Sequence, residues 1–132
     1  MLILDANVLV SAALGRSRSL IEATAARGLD LLVPIAQRLE AATVLVRLGG
    51  SPVSVETSLG FTSRTVRVIE PEAYDGFEPA ARARLGAHGQ SDWPVLAAAL
   101  ALEADIWSND RDFFGLGVAV WTTRNVGYAT AT

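Results

Sequence analysis

Four acidic side chains sit where carboxylates could do chemistry together. Asp5 closes the apolar run Leu2–Leu4, and Asp110 follows the buried-type run Asp105–Trp107. Asp92 precedes Trp93-Pro94 at a helix start, and Glu40 falls inside a helix with Val44 rather than a base one turn on. Each has an ordinary explanation alone: Asp5, Asp92 and Asp110 stand at capping positions, and Glu40 on a solvated face. As a set they say more. In an open parallel sheet, ligands bind beyond the carboxyl ends of the strands, where Asp5 and Asp110 fall. Asp92 opens the helix feeding the Asp110 strand, and its own rim depends on the tilt of that helix. Carboxylates gathered within a few ångströms repel and raise one another's pKa, and a divalent cation relieves the conflict. Oxygen ligands without His or Cys favour Mg²⁺ or Mn²⁺ over zinc. Such an ion turns water into a nucleophile and stabilises charge on a phosphoryl group. Asn7 could orient a carboxylate or bind the ion's water, Ser108 and Asn109 could hold Asp110 by hydrogen bonds, and Asp112 reads first as a cap.

Other chemistries are excluded by composition. The chain has no lysine, so its eleven basic residues are all arginine, and it has one histidine and no cysteine. A P-loop lacks its lysine, a multi-histidine zinc site its ligands, and a disulfide framework its thiols. A Ser–His–Asp site would need His88, which reads as an exposed loop residue with no second group to pair with. The net charge of −3 argues against broad electrostatic binding of nucleic acid, though not against a local arginine surface or a cation-filled site. A length of 132 residues at 51% apolar content fits one domain with an adequate core. No apolar run reaches the roughly 18 residues that cross a bilayer, and the N-terminus lacks the basic start of a signal peptide. A cytoplasmic protein is the expectation.

The elements that must position these acids follow from period and punctuation. Leu2–Leu4 reads as a strand, Ala6–Leu14 as a helix, and Ser17–Arg27 as a second helix closed by Gly28. Leu29–Val33 is a strand, and Pro34 opens a helix to Leu48 that stops at Gly49-Gly50. Ser51-Pro52 starts another, and Thr65–Ile69 alternates as a strand. Pro71–Leu85 reads as helix, His88–Ser91 as loop, and Pro94–Glu103 as a helix packed on more than one side. Asp105–Trp107 is a buried strand, Asp110–Phe114 a short helix, Val118–Trp121 a last strand, and Gly127–Thr132 a loosely held tail. Short apolar strands alternating with helices predict an α/β fold: one layered domain, about five parallel strands, helices on both faces and right-handed crossovers.

Three stretches are familiar. Leu2-Ile-Leu-Asp5-Ala-Asn7-Val-Leu resembles the opening of PIN domains. Asp92-Trp-Pro-Val-Leu-Ala-Ala-Ala-Leu followed by Ile106-Trp-Ser-Asn-Asp110-Arg-Asp-Phe-Phe-Gly, and the closing Gly117-Val-Ala-Val-Trp-Thr-Thr, resemble their C-terminal half. Leu39-Glu40 matches the family's second acid, and Gly49 to Gly89 carries no motif. The resemblance implies cleavage of RNA phosphodiester bonds, dependent on Mg²⁺ or Mn²⁺, at Asp5, Glu40, Asp92 and Asp110. Asp5, Asp92 and Asp110 would hold one or two ions, Glu40 would complete the shell or orient the attacking water, and Asn7 would be the usual polar neighbour. It further implies similarity to the VapC toxins of type II toxin–antitoxin pairs, with a cognate antitoxin and a homodimer as partners.

Rival readings are weaker. Haloacid-dehalogenase-type phosphatases and receiver domains also gather acids after strand one, but both call for a lysine near the phosphoryl group, absent here. A catalytically silent binding or regulatory module survives better, with the Ala97–Leu102 stretch as a partner surface, against the simpler reading that this stretch and Trp93, Trp107 and Trp121 are core. Arg16 and Arg18 could contact RNA phosphates or simply be solvated, and Arg111 could pair with a neighbouring acid.

Overall fold

The computed structural model describes residues 1–130, apart from the side chain of Phe61. Five strands form one fully parallel sheet in the order β3-β2-β1-β4-β5, comprising β1 (Leu2–Leu4), β2 (Leu31–Pro34), β3 (Val66–Ile69), β4 (Asp105–Trp107) and β5 (Val120–Trp121). Six α-helices accompany them among the described residues: α1 (Ala6–Ala13), α2 (Arg18–Ala26), α3 (Ile35–Arg47), α4 (Pro52–Thr62), α5 (Glu78–Arg84) and α6 (Trp93–Leu102). The α/β, five-stranded parallel expectation is therefore met.

Two-residue alternation distributes the core over both faces of the sheet. Leu2, Leu4, Leu31, Val33 and Trp107 point to one side, where Ile21, Ala41, Leu45 and Leu59 of α2, α3 and α4 meet them. Ile3, Leu32 and Ile106 point to the other, against Ala81 and Leu85 at α5 and the Val95–Ala99 stretch of α6. Pro94 to Ala99 of α6 are all buried, so the apolar stretch expected either as core or as a partner surface is core in its first half. Of the tryptophans only Trp107 is fully enclosed. Trp93 is half-buried against Tyr74 and beneath Arg82, and Trp121 donates its indole N–H to Asp105 at 2.9 Å. Among the described residues no helix is long and apolar enough to cross a membrane.

Five expectations need correcting. Pro71–Leu85 is not one helix: two 3₁₀ turns, Pro71–Ala73 and Asp75–Phe77, precede α5. Gly76 lies within the second turn, and Pro79, which cannot donate to a preceding turn, fits the first turn of α5, so the regular helix starts only at Glu78. His88–Ser91 is not open loop but part of a 3₁₀ turn over Ala87–Asp92, although His88 is exposed. The tail is tied down as far as Ala129: Arg27 donates to the carbonyls of Val126 and Ala129 at 3.1 and 3.2 Å, and both residues are buried. The end of the segment expected to be loose, residues 131 and 132, lies outside the described residues. At its start β2 begins two residues later than expected, and β5 spans only Val120–Trp121.

α6 ends on Glu103 at φ 51° and ψ 46°, a left-handed backbone in a residue other than glycine. That conformation costs a side-chain-bearing residue roughly 1–2 kcal/mol, while glycine's freedom in the unfolded chain returns roughly 0.5–1 kcal/mol. Glu103→Gly is accordingly expected to raise stability by about 0.5–1 kcal/mol in urea unfolding. A lower midpoint would mean that the glutamate side chain does more for the helix end than the strain takes away.

Candidate metal centre

β1 pairs with β2 on one side and β4 on the other, so the sheet grows in opposite directions from it. The carboxyl ends of β1 and β4 flank this switch point, the crevice where open α/β sheets hold ligands. Asp5 directly follows β1, and Asp110 lies three residues beyond β4. α3 leaves the carboxyl end of β2 and carries Glu40 in its second turn. α6 enters β4 and so runs back across the sheet, which places its first residues, and Asp92 before them, on the same rim. Asp5, Asn7, Gln37, Glu40, Ser91, Asp92 and Asp110 thus line one cavity of about 170 Å³ together with Ala6.

The four acids are held differently. Asp5 is 4% exposed, and both its oxygens are engaged. Oδ1 accepts the backbone N–H groups of Asn7 and Val8 at 2.8 and 3.3 Å, and Oδ2 accepts a close hydrogen bond from the Ser108 hydroxyl. Ser108, fully buried, also accepts the Asp110 N–H at 2.9 Å, so one hydroxyl joins the ends of β1 and β4. Asp110 Oδ1 accepts the Asp112 N–H at 2.9 Å. Asp5 and Asp110 are therefore caps as well as cavity residues. Asp92 is not: it stands at the N-cap of α6, yet its side chain makes no capping hydrogen bond. Glu40 is exposed at the cavity and takes no part in the ion pairs of the described residues, which join Arg38 to Glu56 and Arg82 to Glu78.

Burial raises the Asp5 carboxyl above its ordinary value of 3.8; the Ser108, Val8 and Asn7 hydrogen bonds oppose this, and the Asp110 charge adds to it. Asp92 is pushed up to about 6, first by burial and then by the charges of Asp110, Glu40, Asp5 and Asp112. Among the described residues no arginine lines the cavity to offset them. Carboxylate oxygens of Asp92, Asp110 and Asp112 lie within 4.8 Å of one another, close enough to share one ion. The donor set is entirely hard oxygen, which fits Mg²⁺ or Mn²⁺.

The sequence-based set is thus drawn together, with differences of detail. Asp112, expected as a cap, joins the three-oxygen group, whereas Asp5 lies outside that group with its oxygens already hydrogen-bonded. Gly89 permits the approach of Asp112: a Cβ there would sit 3.3 Å from both Asp112 Cβ and Leu85 Cδ2. Ser108 holds the Asp110 backbone N–H, though its bond to Asp5 was not anticipated, and Asn109 instead exchanges hydrogen bonds with Thr123, at 3.0 and 2.8 Å. Arg16 and Arg18 do not line the cavity, and Arg111 joins neither ion pair. Gln37 and Ser91 were not anticipated. Gln37 could have been found by period, because Gln37, Ala41 and Leu45 form the buried stripe of α3 and only Gln37 is polar.

The sequence matches the family model described as PIN domain over residues 3–131. The chain belongs to the PIN domain family. Its fold is shared by solved structures of low sequence identity. VapBC2 from Rickettsia felis, bound to a promoter DNA fragment, is similar at TM-score 0.74 and 15% identity, covering 92% of this PIN domain chain and 97% of that one. A toxin–antitoxin complex from Klebsiella pneumoniae is similar at TM-score 0.67 and 19% identity over 93% and 98%. VapBC-1 from nontypeable Haemophilus influenzae is similar at TM-score 0.67 and 14% identity over 94% and 98%. No curated protein sequence matches the chain.

Two measurements follow for this PIN domain. Ser108→Ala would leave an Asp5 oxygen and the Asp110 N–H without their shared partner, at a cost of about 1–3 kcal/mol in chemical denaturation; an unchanged midpoint would mean that the bridge is not made in solution. The second concerns pH in EDTA. Below about pH 6 folded Asp92 holds a proton that the unfolded chain, titrating near 3.8, gives up, so stability falls as pH rises through this window and levels off above it. Asp92→Asn should flatten most of that slope in melting temperatures, leaving the part of the same sign due to Asp5. Equal slopes in the two proteins would refute it.

Proposed function

We propose that this PIN domain is a metal-dependent endoribonuclease, hydrolysing RNA phosphodiester bonds at the acid-lined cavity. The observation that carries the reading is the cavity itself: Asp5, Glu40, Asp92 and Asp110 converge at the carboxyl ends of β1 and β4 with no cationic side chain among them. Asp92 and Asp110 would hold Mg²⁺ or Mn²⁺, with Asp112 as the third oxygen donor the geometry favours. When bound, the ion would activate water and neutralise charge on the scissile phosphate. Asp5 and Ser108 would fix the distance between the ends of β1 and β4, and Glu40, exposed at the cavity, would orient the attacking water and accept its proton at a carboxylate oxygen. The leaving ribose oxygen would take a proton from solvent.

The further proposal is that the enzyme is the toxin of a toxin–antitoxin pair. Its support is the likeness in fold to chains from such complexes, together with an apolar surface suited to a protein partner. Exposed Val46 lines the groove between α3 and α4 with Ala42, Pro52 and Val55, beside Arg47 and Glu56, and exposed Leu14 and Leu48 line a second cavity that shares Val55 with it. The same surface would serve a second copy in a homodimer, or the partner of a catalytically silent regulatory module.

Cleavage of RNA by the purified protein with Mn²⁺ or Mg²⁺ tests the reading. Activity should vanish in EDTA and drop roughly 100-fold or more in Asp110→Asn, which would lose a ligand of the ion that stabilises transition-state charge, and roughly 10- to 100-fold in Asp5→Asn, the scale for a group that positions the ligands. Asp110→Asn should melt no lower than the wild type in EDTA, because one repelling charge has gone. Full activity in either variant, or no cleavage of several RNAs together with no stabilisation by metal, would leave the silent module standing.

A further inference from the structure

We infer that Gln37 is a positioning residue of the cation site, its side-chain amide accepting a hydrogen bond from a water in the hydration shell of the bound ion. The inference rests on the metal-centre reading above and adds to it a group that is neither acidic nor expected as a ligand.

Gln37 is 2% exposed and lines the same cavity as Asp5, Glu40, Asp92 and Asp110. It stands one turn before Glu40, so the two share a face of α3. Its carbonyl Oε1 is buried and has no hydrogen-bond partner among the described residues. Every other inward position of this helix is apolar, and a leucine or methionine at Gln37 would complete the stripe without burying an unsatisfied dipole. An orphaned carbonyl in an enclosed place points to a donor supplied from outside the chain. The acids around it, when ionised, are acceptors only, and none can satisfy it. Water coordinated to a divalent cation directs its hydrogens outward, and Mg²⁺ in particular keeps several waters when bound by few carboxylates. Asp92, Asp110 and Asp112 then hold the ion from the side of α6 and β4, and Gln37 orders its hydration from the side of α3.

Calorimetric titration of Mn²⁺ into wild type, Gln37→Met and Gln37→Glu, with melting temperatures in EDTA, tests this. Gln37→Met keeps the length and removes both polar ends. It should melt at or above the wild type in EDTA yet bind Mn²⁺ about tenfold more weakly, the lower end of effects from residues behind the ligands. Unchanged Mn²⁺ affinity, or a lower melting temperature in EDTA, would overturn the inference by making Gln37 a structural residue. If Gln37→Met does not fold, Gln37→Glu decides: it should melt lower in EDTA and gain more from saturating Mn²⁺ than the wild type, and an equal gain would overturn the inference. Absence of Mn²⁺ binding by the wild type would remove the metal reading itself, whereas binding by the wild type with equal affinity in Gln37→Met removes only the role of Gln37.

Discussion

Three residues hold both halves of the sheet together. β1 is Leu2–Leu4, and it is hydrogen-bonded in parallel to β2 and to β4 at once. Because all pairing is parallel, every strand ends on one rim, and each connecting helix must run back towards the other. The position of the acids is a consequence of that constraint and needs no special loop. Asp5 is the first residue past the central strand, Asp110 lies just past its neighbour, and the helices on either side bring Glu40 and Asp92 to the rim. The Ser108 hydroxyl then locks the two strand ends at their divergence, where backbone pairing has run out.

The sheet, its direction and the placement of Asp5 and Asp110 were legible in the sequence because they depend on short-range pattern, whereas Glu40 was tied to the site by its resemblance to the family's second acid. Apolar runs of strand length, separated by helix-period stretches, leave little else that the chain could form. Asp92 was harder than it needed to be: a parallel crossover forces α6 to begin on the rim where β4 ends, so its placement followed from direction rather than tilt. The Pro71–Leu85 region misread because helix formers there are broken by Gly76, and Tyr74 turns inward to pack on Trp93, a tertiary contact that no local pattern announces. The tail misread for a similar reason. What holds it is Arg27, about a hundred positions earlier in the chain, and Val126 and Ala129 look unremarkable without it. Asp112 and Gln37 depend on distances between elements, which spacing along the chain does not encode.

Electrostatics sets the cavity apart from the remainder of the molecule. Elsewhere arginines face solvent, bridge helices or tie down loops, as Arg38, Arg82, Arg84 and Arg27 do. At the rim the chain gathers carboxylates with no arginine among the described residues that line the cavity, so folding proceeds against repulsion and desolvation that push the Asp92 carboxyl up to about 6. Tension of this kind is the usual mark of a site shaped for something other than stability, since sequences free of such a demand shed it readily. The apolar core on both faces of the sheet is what carries that load.

Gly89 shows how such a site can be adjusted without touching it. It contributes no donor, no acceptor and no charge, yet the missing side chain is what lets the turn leading to Asp92 lie against Asp112. The gap between two acid-bearing segments is thereby calibrated by an atom that is not there. Any side chain at this one position could only widen that gauge, shifting the two segments apart while every carboxylate stays unchanged.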